Sequence, residues 1–215
     1  MIKIEQTQVY GWEAAIRGMR NPLNSWNRSD SLFEQDHYNM ELRAVESVPC
    51  LTIGENDHEL MMRLASGGAV HAKYRRMITV TMDITAPLYW WKEYDTYKVG
   101  SVANSCSTMH KIHARELALD DFSHEHLTPA NLEMLNAVIM SMNVARAKYM
   151  HDNDKEQWWQ MIQMLPTSYN QRRTVLLNYE VLVGMYRDRK HHKLDEWREF
   201  CKWIESLPYP EFITG

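Results

Sequence analysis

Residues 71–110 decide the fold, and they read HAKYRRMITVTMDITAPLYWWKEYDTYKVGSVANSCSTMH. Apolar side chains recur at every second position near the start of this stretch, at Ile78, Val80, Met82 and Ile84. A period of two is typical of a strand that has one covered face. The alternation therefore predicts a strand.

A helix is predicted directly after this strand. Pro87 suits a first helical turn, because its ring fixes φ near the helical value and its missing N–H has no partner there. Leu88, Trp91 and Tyr94 follow at spacings of three, which gives the helix one apolar, aromatic face.

The chain then becomes polar between residues 98 and 110. Hydroxyl, amide and cationic side chains crowd around one glycine there, at Lys98, Gly100, Ser101, Asn104, Ser105, Ser107, Thr108 and His110. Such residues supply the short, directed donors that a phosphate or a nucleotide edge needs. A polar surface loop would have the same composition, so the residues alone leave both interpretations open.

Length, charge and cysteine content limit the class of protein. A chain of 215 residues favours a single domain over 1–215. A net charge of −4 excludes a general attraction to nucleic-acid backbone, so a bound nucleotide should be small. Cys50, Cys106 and Cys201 form no CxxC pair and are interpreted as free thiols. Without a signal peptide or a long apolar run, we expect a cytoplasmic protein.

The N-terminal region is predicted to hold a strand over Ile2–Tyr10 and a helix over Gly54–Gly68 that Asn56 can cap. Between them, Gly18–Ser31 is rich in Asn, Ser, Arg and Pro, which favours an ordered polar loop or a short helix. Three arginines in or next to this segment are candidates either for phosphate contact or for pairing with Asp30 and Glu34, namely Arg17, Arg20 and Arg28.

The C-terminal half is predicted to be mainly helical. Thr128 and Pro129 signal the start of a helix of about six turns. Further helices are predicted over Lys155–Met164, from Ser168 past Arg189, and through Leu194, Trp197, Cys201 and Ile204. Strands early in the chain and helices late in it predict an α+β fold.

Asn178 and Arg189 would lie on one face of the long predicted helix, about 16 Å apart along its axis at 1.5 Å per residue. An elongated ligand, or two ligands side by side, would span that distance. Two surface residues that share a face by chance are the alternative.

The order of these segments, from about Gly54 to the C-terminus, resembles the flavin-dependent thymidylate synthases. His71 in VHAKYRRM falls where the family has the histidine of its GHE segment near the flavin. Ser107 in NSCS matches the serine of the N/S-E-x-S segment that holds the nucleotide phosphate. The family's LP…N…R pattern places Asn178 at a flavin-contacting asparagine and Arg189 at the arginine that grips the pyrimidine.

The sequence departs from the family in its Arg-His-Arg signature. Those positions read Thr96, Tyr97 and Lys98, with Ser101 downstream. Lysine supplies a point cation but lacks the planar, two-pronged contact of arginine. Glu93 also stands where the family has a glutamine.

The resemblance implies a small mixed or antiparallel sheet, a helical C-terminal half, and a homotetramer with sites between subunits. It implies FAD as cofactor, with His71, Tyr97, Lys98, Ser101 and Asn178 at the flavin. It further implies a pyrimidine nucleotide at Ser107 and Arg189, with Arg189 the candidate catalytic residue.

The implied reaction is the conversion of dUMP to dTMP, or a related C5 modification, with NADPH and methylenetetrahydrofolate if the family reaction is retained. Such chemistry uses no protein nucleophile, which agrees with the absence of a Ser or Cys motif. The alternative is a homo-oligomer that keeps the fold and binds nucleotide or flavin without catalysis.

Overall fold

The computed structural model describes residues 1–33, 37–39, 44–46 and 51–215. Glu34 and Cys50, both named above, lie outside these residues. The chain divides into two compact units. The first unit comprises Met1–Thr7, Thr81–Leu176 and Arg189–Trp203, and the second comprises Gln8–Val80, Leu177–Asp188 and Ile204–Gly215.

The strands and helices are numbered in chain order. The strands are β1 Lys3–Tyr10, β2 Leu32–Phe33, β3 His37–Asn39, β4 Ala44–Glu46, β5 Leu51–Thr52, β6 Thr79–Pro87, β7 Val102–Ser105 and β8 Asn170–Asn178. The helices are α1 Trp12–Arg20, α2 Glu55–Ser66, α3 Leu88–Tyr94, α4 Thr108–Lys111, α5 Pro129–Asp152, α6 Lys155–Met164, α7 Tyr179–Arg189, α8 Asp195–Glu205 and α9 Glu211–Thr214.

The main sheet has the strand order β1-β6-β8-β7. Strand β7 runs antiparallel to β8, with Val102 opposite Leu176 and Ser105 opposite Arg173. In β6, Met82 and Ile84 are buried while the residues between them are half-buried, as the alternation requires. The strand and the α+β fold class predicted from the sequence are thus confirmed.

Helix α3 starts at Leu88, directly after Pro87, and carries the predicted aromatic face. Trp90 lies 4.9 Å from Trp91 and 4.8 Å from Trp197 between ring centroids. Both α3 tryptophans are fully buried. This aromatic cluster fixes the position from which the following loop departs.

A second core of the first unit lies between α5 and α6. Helix α5 begins at Pro129 after the cap residue Thr128, whose hydroxyl accepts the N–H of Asn131, as predicted. Helix α6 has its predicted bounds, Lys155–Met164. The buried residues of this core are Ile112, Leu117, Phe122, Leu135, Ile139, Met142, Ala145 and Met161.

In the second unit, Asp30 and Asp57 fix the start of α2, and the predicted capping by Asn56 is wrong. The carboxylate of Asp30 accepts the backbone N–H groups of Asn56 (3.0 Å) and Asp57 (3.1 Å). Asn56 is therefore inside the first turn, and its own N–H is the group that is capped. A carboxylate supplied by a distant loop gives no local sequence signal.

The long helix predicted from Ser168 past Arg189 is also wrong, because strand β8 occupies its first half. Buried Val175 and Leu177 alternate with exposed residues, which is the strand period. Asn178 then ends the strand and caps α7, its Oδ1 accepting the N–H of Val181 at 3.0 Å. Asn178 and Arg189 therefore do not share one helix face.

The stretch of residues 98–110 contains more regular structure than a binding loop would have. Its middle forms β7, and Ser107 caps the short helix α4. Because β7 pairs with β8, backbone N–H and C=O groups in this stretch are hydrogen-bonded to a neighbouring strand. The polar composition alone predicts a loop there.

Candidate functional site

Arg189, the last residue of α7, is held by two partners from the α3 region. Its Nη1 donates to Glu93 Oε2 at 2.7 Å, and its Nε donates to Tyr97 Oη at 2.9 Å. The guanidinium also lies 4.7 Å from the Trp197 ring centroid, a cation–π distance. The side chain is 19% exposed, so a ligand can still reach its remaining donors.

The Glu93 carboxylate is the centre of this group of side chains. Its Oε2 accepts a hydrogen bond from Trp197 Nε1 at 3.1 Å, in addition to the bond from Arg189. His192 Nε2 lies 3.4 Å from the same oxygen. The carboxylate largely neutralises Arg189, so a ligand meets an ion pair at this point and not a free cation.

Tyr97, Lys98 and Ser101 lie in the loop between α3 and β7. The Ser101 hydroxyl donates to the Tyr97 backbone oxygen, which closes a tight turn. Gly100 has φ of 78°, a conformation that favours glycine. Lys98 is exposed at the tip of this turn.

Ser107 is half-buried and serves as the cap of α4. Its Oγ accepts the backbone N–H of His110 at 3.2 Å. The hydroxyl hydrogen remains able to donate to an acceptor such as a phosphate oxygen. The adjacent Cys106 backbone oxygen accepts from Gln171 Nε2 at 2.9 Å, which ties this segment to β8.

The second unit contains an open cleft of about 1500 Å³, and His71 lies on its wall. It is lined by the acid Glu59 and by four cations, Arg20, Arg28, Arg63 and Lys73. A positive, roomy cleft with an exposed imidazole suits an anionic ligand as large as a dinucleotide. This donor set fits the diphosphate of FAD.

The arginines of the segment Gly18–Ser31 have separate roles. Arg20 pairs with Asp57, which is neither of the two possibilities that the sequence left open, a phosphate contact or a pair with Asp30 or Glu34. Arg20 is buried and donates from Nε to Asp57 Oδ1 at 2.6 Å. Burial alone would raise the pKa of Asp57, but hydrogen bonds from Ser29, Ser31 and Arg20 outweigh it and lower that pKa. Arg20 is therefore a structural cation, although both it and Arg28 line the cleft.

Two solved structures resemble the whole chain. Thymidylate synthase X from Helicobacter pylori, solved with FAD and dUMP, matches over 100% of this chain and 98% of its own, with a TM-score of 0.68 and 15% identity. Another structure of the Helicobacter pylori flavin-dependent thymidylate synthase ThyX, complexed with FAD and dUMP, matches over 99% of this chain and 98% of its own, with a TM-score of 0.67 and 16% identity. The chain has the thymidylate synthase X fold.

The UMP/dUMP methylase PolB from Streptomyces cacaoi, bound with 5-Br dUMP, is also similar. It matches over 96% of this chain and 89% of its own, with a TM-score of 0.58 and 11% identity. No family model matches the sequence, and no curated protein matches it. The shared feature is therefore the course of the backbone, with most side chains replaced.

Within this thymidylate synthase X fold, some predicted site residues lie together. In the first unit, Arg189 contacts Tyr97, and Ser101 is bonded to Tyr97. Ser107 instead caps α4, next to Cys106, which is bonded to β8. In the second unit, His71 lines the cleft and Asn178 does not. Asn178 instead uses its amide oxygen to cap α7.

Sequence reasoning missed the partners of Arg189 in this version of the thymidylate synthase X fold. Glu93 was noticed only as a replacement for glutamine, and His192 and Trp197 were given no role at the site. Glu93 is separated from Arg189 by 96 positions, so no local pattern links them. One signal for such a partner was present in the sequence: the acidic Glu93 replaces a neutral glutamine just before the signature that has lost its arginines.

Proposed function

We propose that this protein binds a pyrimidine nucleotide at Arg189 and Ser107, together with FAD, and modifies the base at C5, as in the conversion of dUMP to dTMP. The proposal is supported mainly by the fold, which is that of enzymes solved with FAD and dUMP. Within it, Arg189 lies partly exposed against Tyr97 and Trp197. The half-buried Tyr97 ring is suited to stacking on a planar base, whereas Trp197 is fully buried and positions the guanidinium.

Arg189 has the central role in this proposal. Its free N–H groups would donate to a carbonyl oxygen of the pyrimidine and stabilise negative charge that develops on the ring during reaction. Glu93 holds the guanidinium in place for that contact. Ser107 would donate its hydroxyl hydrogen to the nucleotide phosphate.

The flavin is assigned to His71, Tyr97, Lys98, Ser101 and Asn178. Reduced FAD is a source of hydride, so the protein needs no nucleophile and supplies binding, orientation and charge. The cations of the cleft in the second unit would balance the diphosphate charge. NADPH and methylenetetrahydrofolate are the co-substrates if the family reaction is retained, and the assembly would be a homotetramer with sites between subunits.

A second candidate is a nucleotide- or flavin-binding assembly without turnover. The ion pair between Arg189 and Glu93 favours it, because an arginine already neutralised binds an anionic or carbonyl-rich ligand less strongly. Thr96 in place of a signature arginine points the same way. The two candidates differ in catalysis and share nucleotide binding.

Titration calorimetry with dUMP and absorption spectroscopy with FAD test both candidates. We expect FAD to be retained, and Arg189→Ala to weaken dUMP binding about 10–100-fold with little effect on FAD, because one charged hydrogen bond is worth about 1.5–3 kcal/mol. Arg187→Ala, on the same helix but largely exposed, is the matched control. Equal losses in both variants, or no affinity for either ligand in the wild type, would contradict the proposal. Formation of dTMP then separates an enzyme from a binding protein.

A further inference from the structure

A second titratable side chain, His192, faces the Glu93 carboxylate that pairs with Arg189. His192 lies in the turn between α7 and α8, and its Nε2 is 3.4 Å from Glu93 Oε2. The same carboxylate oxygen accepts a hydrogen bond from Arg189 Nη1 at 2.7 Å. One negative charge therefore lies between a permanent cation and a group that becomes a cation when it gains a proton.

The His192 ring is held in one orientation by its neighbours in the turn. Its backbone N–H donates to the Arg189 backbone oxygen at 2.9 Å, and its backbone oxygen accepts from Arg198 Nη1 at 2.9 Å. The backbone N–H of Leu194 donates to His192 Nδ1 at 3.2 Å. Because Nδ1 accepts a hydrogen bond, the neutral ring carries its proton on Nε2, the nitrogen that faces Glu93.

The charged side chains around His192 act on its protonation in both directions. Glu93 on α3 favours the imidazolium form, whereas Arg189 on α7 and Arg198 on α8 oppose it. Arg198 is itself paired with Asp195, which reduces its effect. The titratable neighbours within the turn are exposed to solvent, and they are Lys190, His191 and Lys193.

Protonation of His192 changes the charge that a ligand meets at Arg189. While His192 is neutral, Glu93 balances Arg189 and the three side chains have no net charge. Once His192 is protonated, one carboxylate serves two cations, and the group carries one net positive charge. The Arg189 and His192 side chains are 19% and 18% exposed, so water screens this charge less than it would at the surface.

We propose that His192 is a positioning residue that couples protonation to nucleotide binding. When its imidazole gains a proton, it competes for Glu93 and leaves the Arg189 guanidinium freer to bind an anionic pyrimidine nucleotide. This inference rests on the proposed function, since it takes the nucleotide to bind at Arg189. The contribution of His192 to nucleotide affinity therefore increases by about 3–10-fold as pH falls from about 8 to about 6.

Calorimetric titration with dUMP near pH 8 and near pH 6 tests the coupling with two substitutions at one position. His192→Gln is uncharged at both pH values, so it should match the wild type near pH 8 and bind about 3–10-fold more weakly near pH 6. His192→Lys is charged at both, so it should bind more tightly than the wild type near pH 8. The phosphate of dUMP itself titrates near pH 6, so each variant is compared with the wild type at the same pH.

His191→Gln is the matched control, because the same substitution is made at the adjacent, exposed histidine. Its dUMP affinity should equal that of the wild type at both pH values. A ratio of wild-type to His192→Gln affinity that is the same at both pH values would overturn this inference alone. No dUMP binding by the wild type at either pH would contradict the proposed function, and the coupling to nucleotide with it.

Nitrogen-15 NMR of the histidine rings tests the charge coupling without any nucleotide. The neutral His192 ring should show its proton on Nε2, and Glu93→Gln should shift its proton uptake to lower pH, because the favourable carboxylate is lost. The His191 ring in the same samples should titrate alike in the wild type and in Glu93→Gln. A His192 titration that does not respond to Glu93→Gln would overturn the inference whether or not dUMP binds.

Discussion

At the scale of single residues, Glu93 determines the charge that a ligand meets at Arg189. We predict that Glu93→Gln increases affinity for dUMP several-fold, because the amide keeps the shape but no longer neutralises the guanidinium. Calorimetric titration measures the change. Glu199→Gln, which loses a surface pair with Lys202, is the control. Unchanged or weaker binding in Glu93→Gln would contradict the claim that the Glu93 charge limits nucleotide affinity at Arg189.

Asp57 is the residue whose ionisation should matter most for stability in the second unit. It is fully buried, and Arg20 depends on it. We predict that Asp57→Asn lowers the free energy of unfolding by about 3–5 kcal/mol, because a buried cation loses its counter-charge. Urea denaturation checks this, with exposed Asp120→Asn as the control. Equal stability of the two variants would contradict the role of the pair.

The lowered pKa of Asp57 also predicts a pH dependence. A carboxyl with a lower pKa in the folded than in the unfolded state stabilises the fold above its unfolded pKa. That stability is lost as pH falls through the folded pKa. Wild-type stability should therefore decline in acid, and Asp57→Asn should show a smaller decline over the same range.

At the scale of elements, substitution of Gly54 and of Gly184 by alanine should change stability in opposite directions. A Cβ on Gly54 would lie 2.2 Å from Asp30 Cγ, so Gly54→Ala must displace the carboxylate that caps α2. A Cβ on Gly184 in α7 would meet nothing within 4 Å. We predict that Gly54→Ala costs about 1–3 kcal/mol and that Gly184→Ala gains about 0.5–1 kcal/mol. Thermal unfolding of both variants measures the difference, and a stabilising Gly54→Ala would contradict the capping arrangement.

Elements with a clear periodicity of apolar residues and with capping residues next to them in sequence could be predicted. Strand β6, helix α5 after Thr128 and helix α6 all have these signals and were found as expected. Strand β8 was missed because its buried residues are few and its flanks resemble helix. The cap of α2 was missed because Asp30 comes from another part of the chain.

At the scale of the whole molecule, the fold could be recognised from the order of its segments, although identity to the solved structures is only 11–16%. Backbone course depends on hydrophobic pattern, which tolerates many substitutions. The site depends on contacts such as that between Arg189 and Tyr97, 92 positions apart, and no pattern within one segment encodes them. All the assigned site roles stay predictions, namely those of Arg189, Ser107, His71, Tyr97, Lys98, Ser101 and Asn178.

A crystal structure of the protein grown with dUMP and FAD tests the central claim most directly. The account predicts the pyrimidine within hydrogen-bond distance of the Arg189 guanidinium, with its phosphate at Ser107. A nucleotide bound elsewhere, or Arg189 still held only by Glu93 and Tyr97 at saturating dUMP, would contradict it.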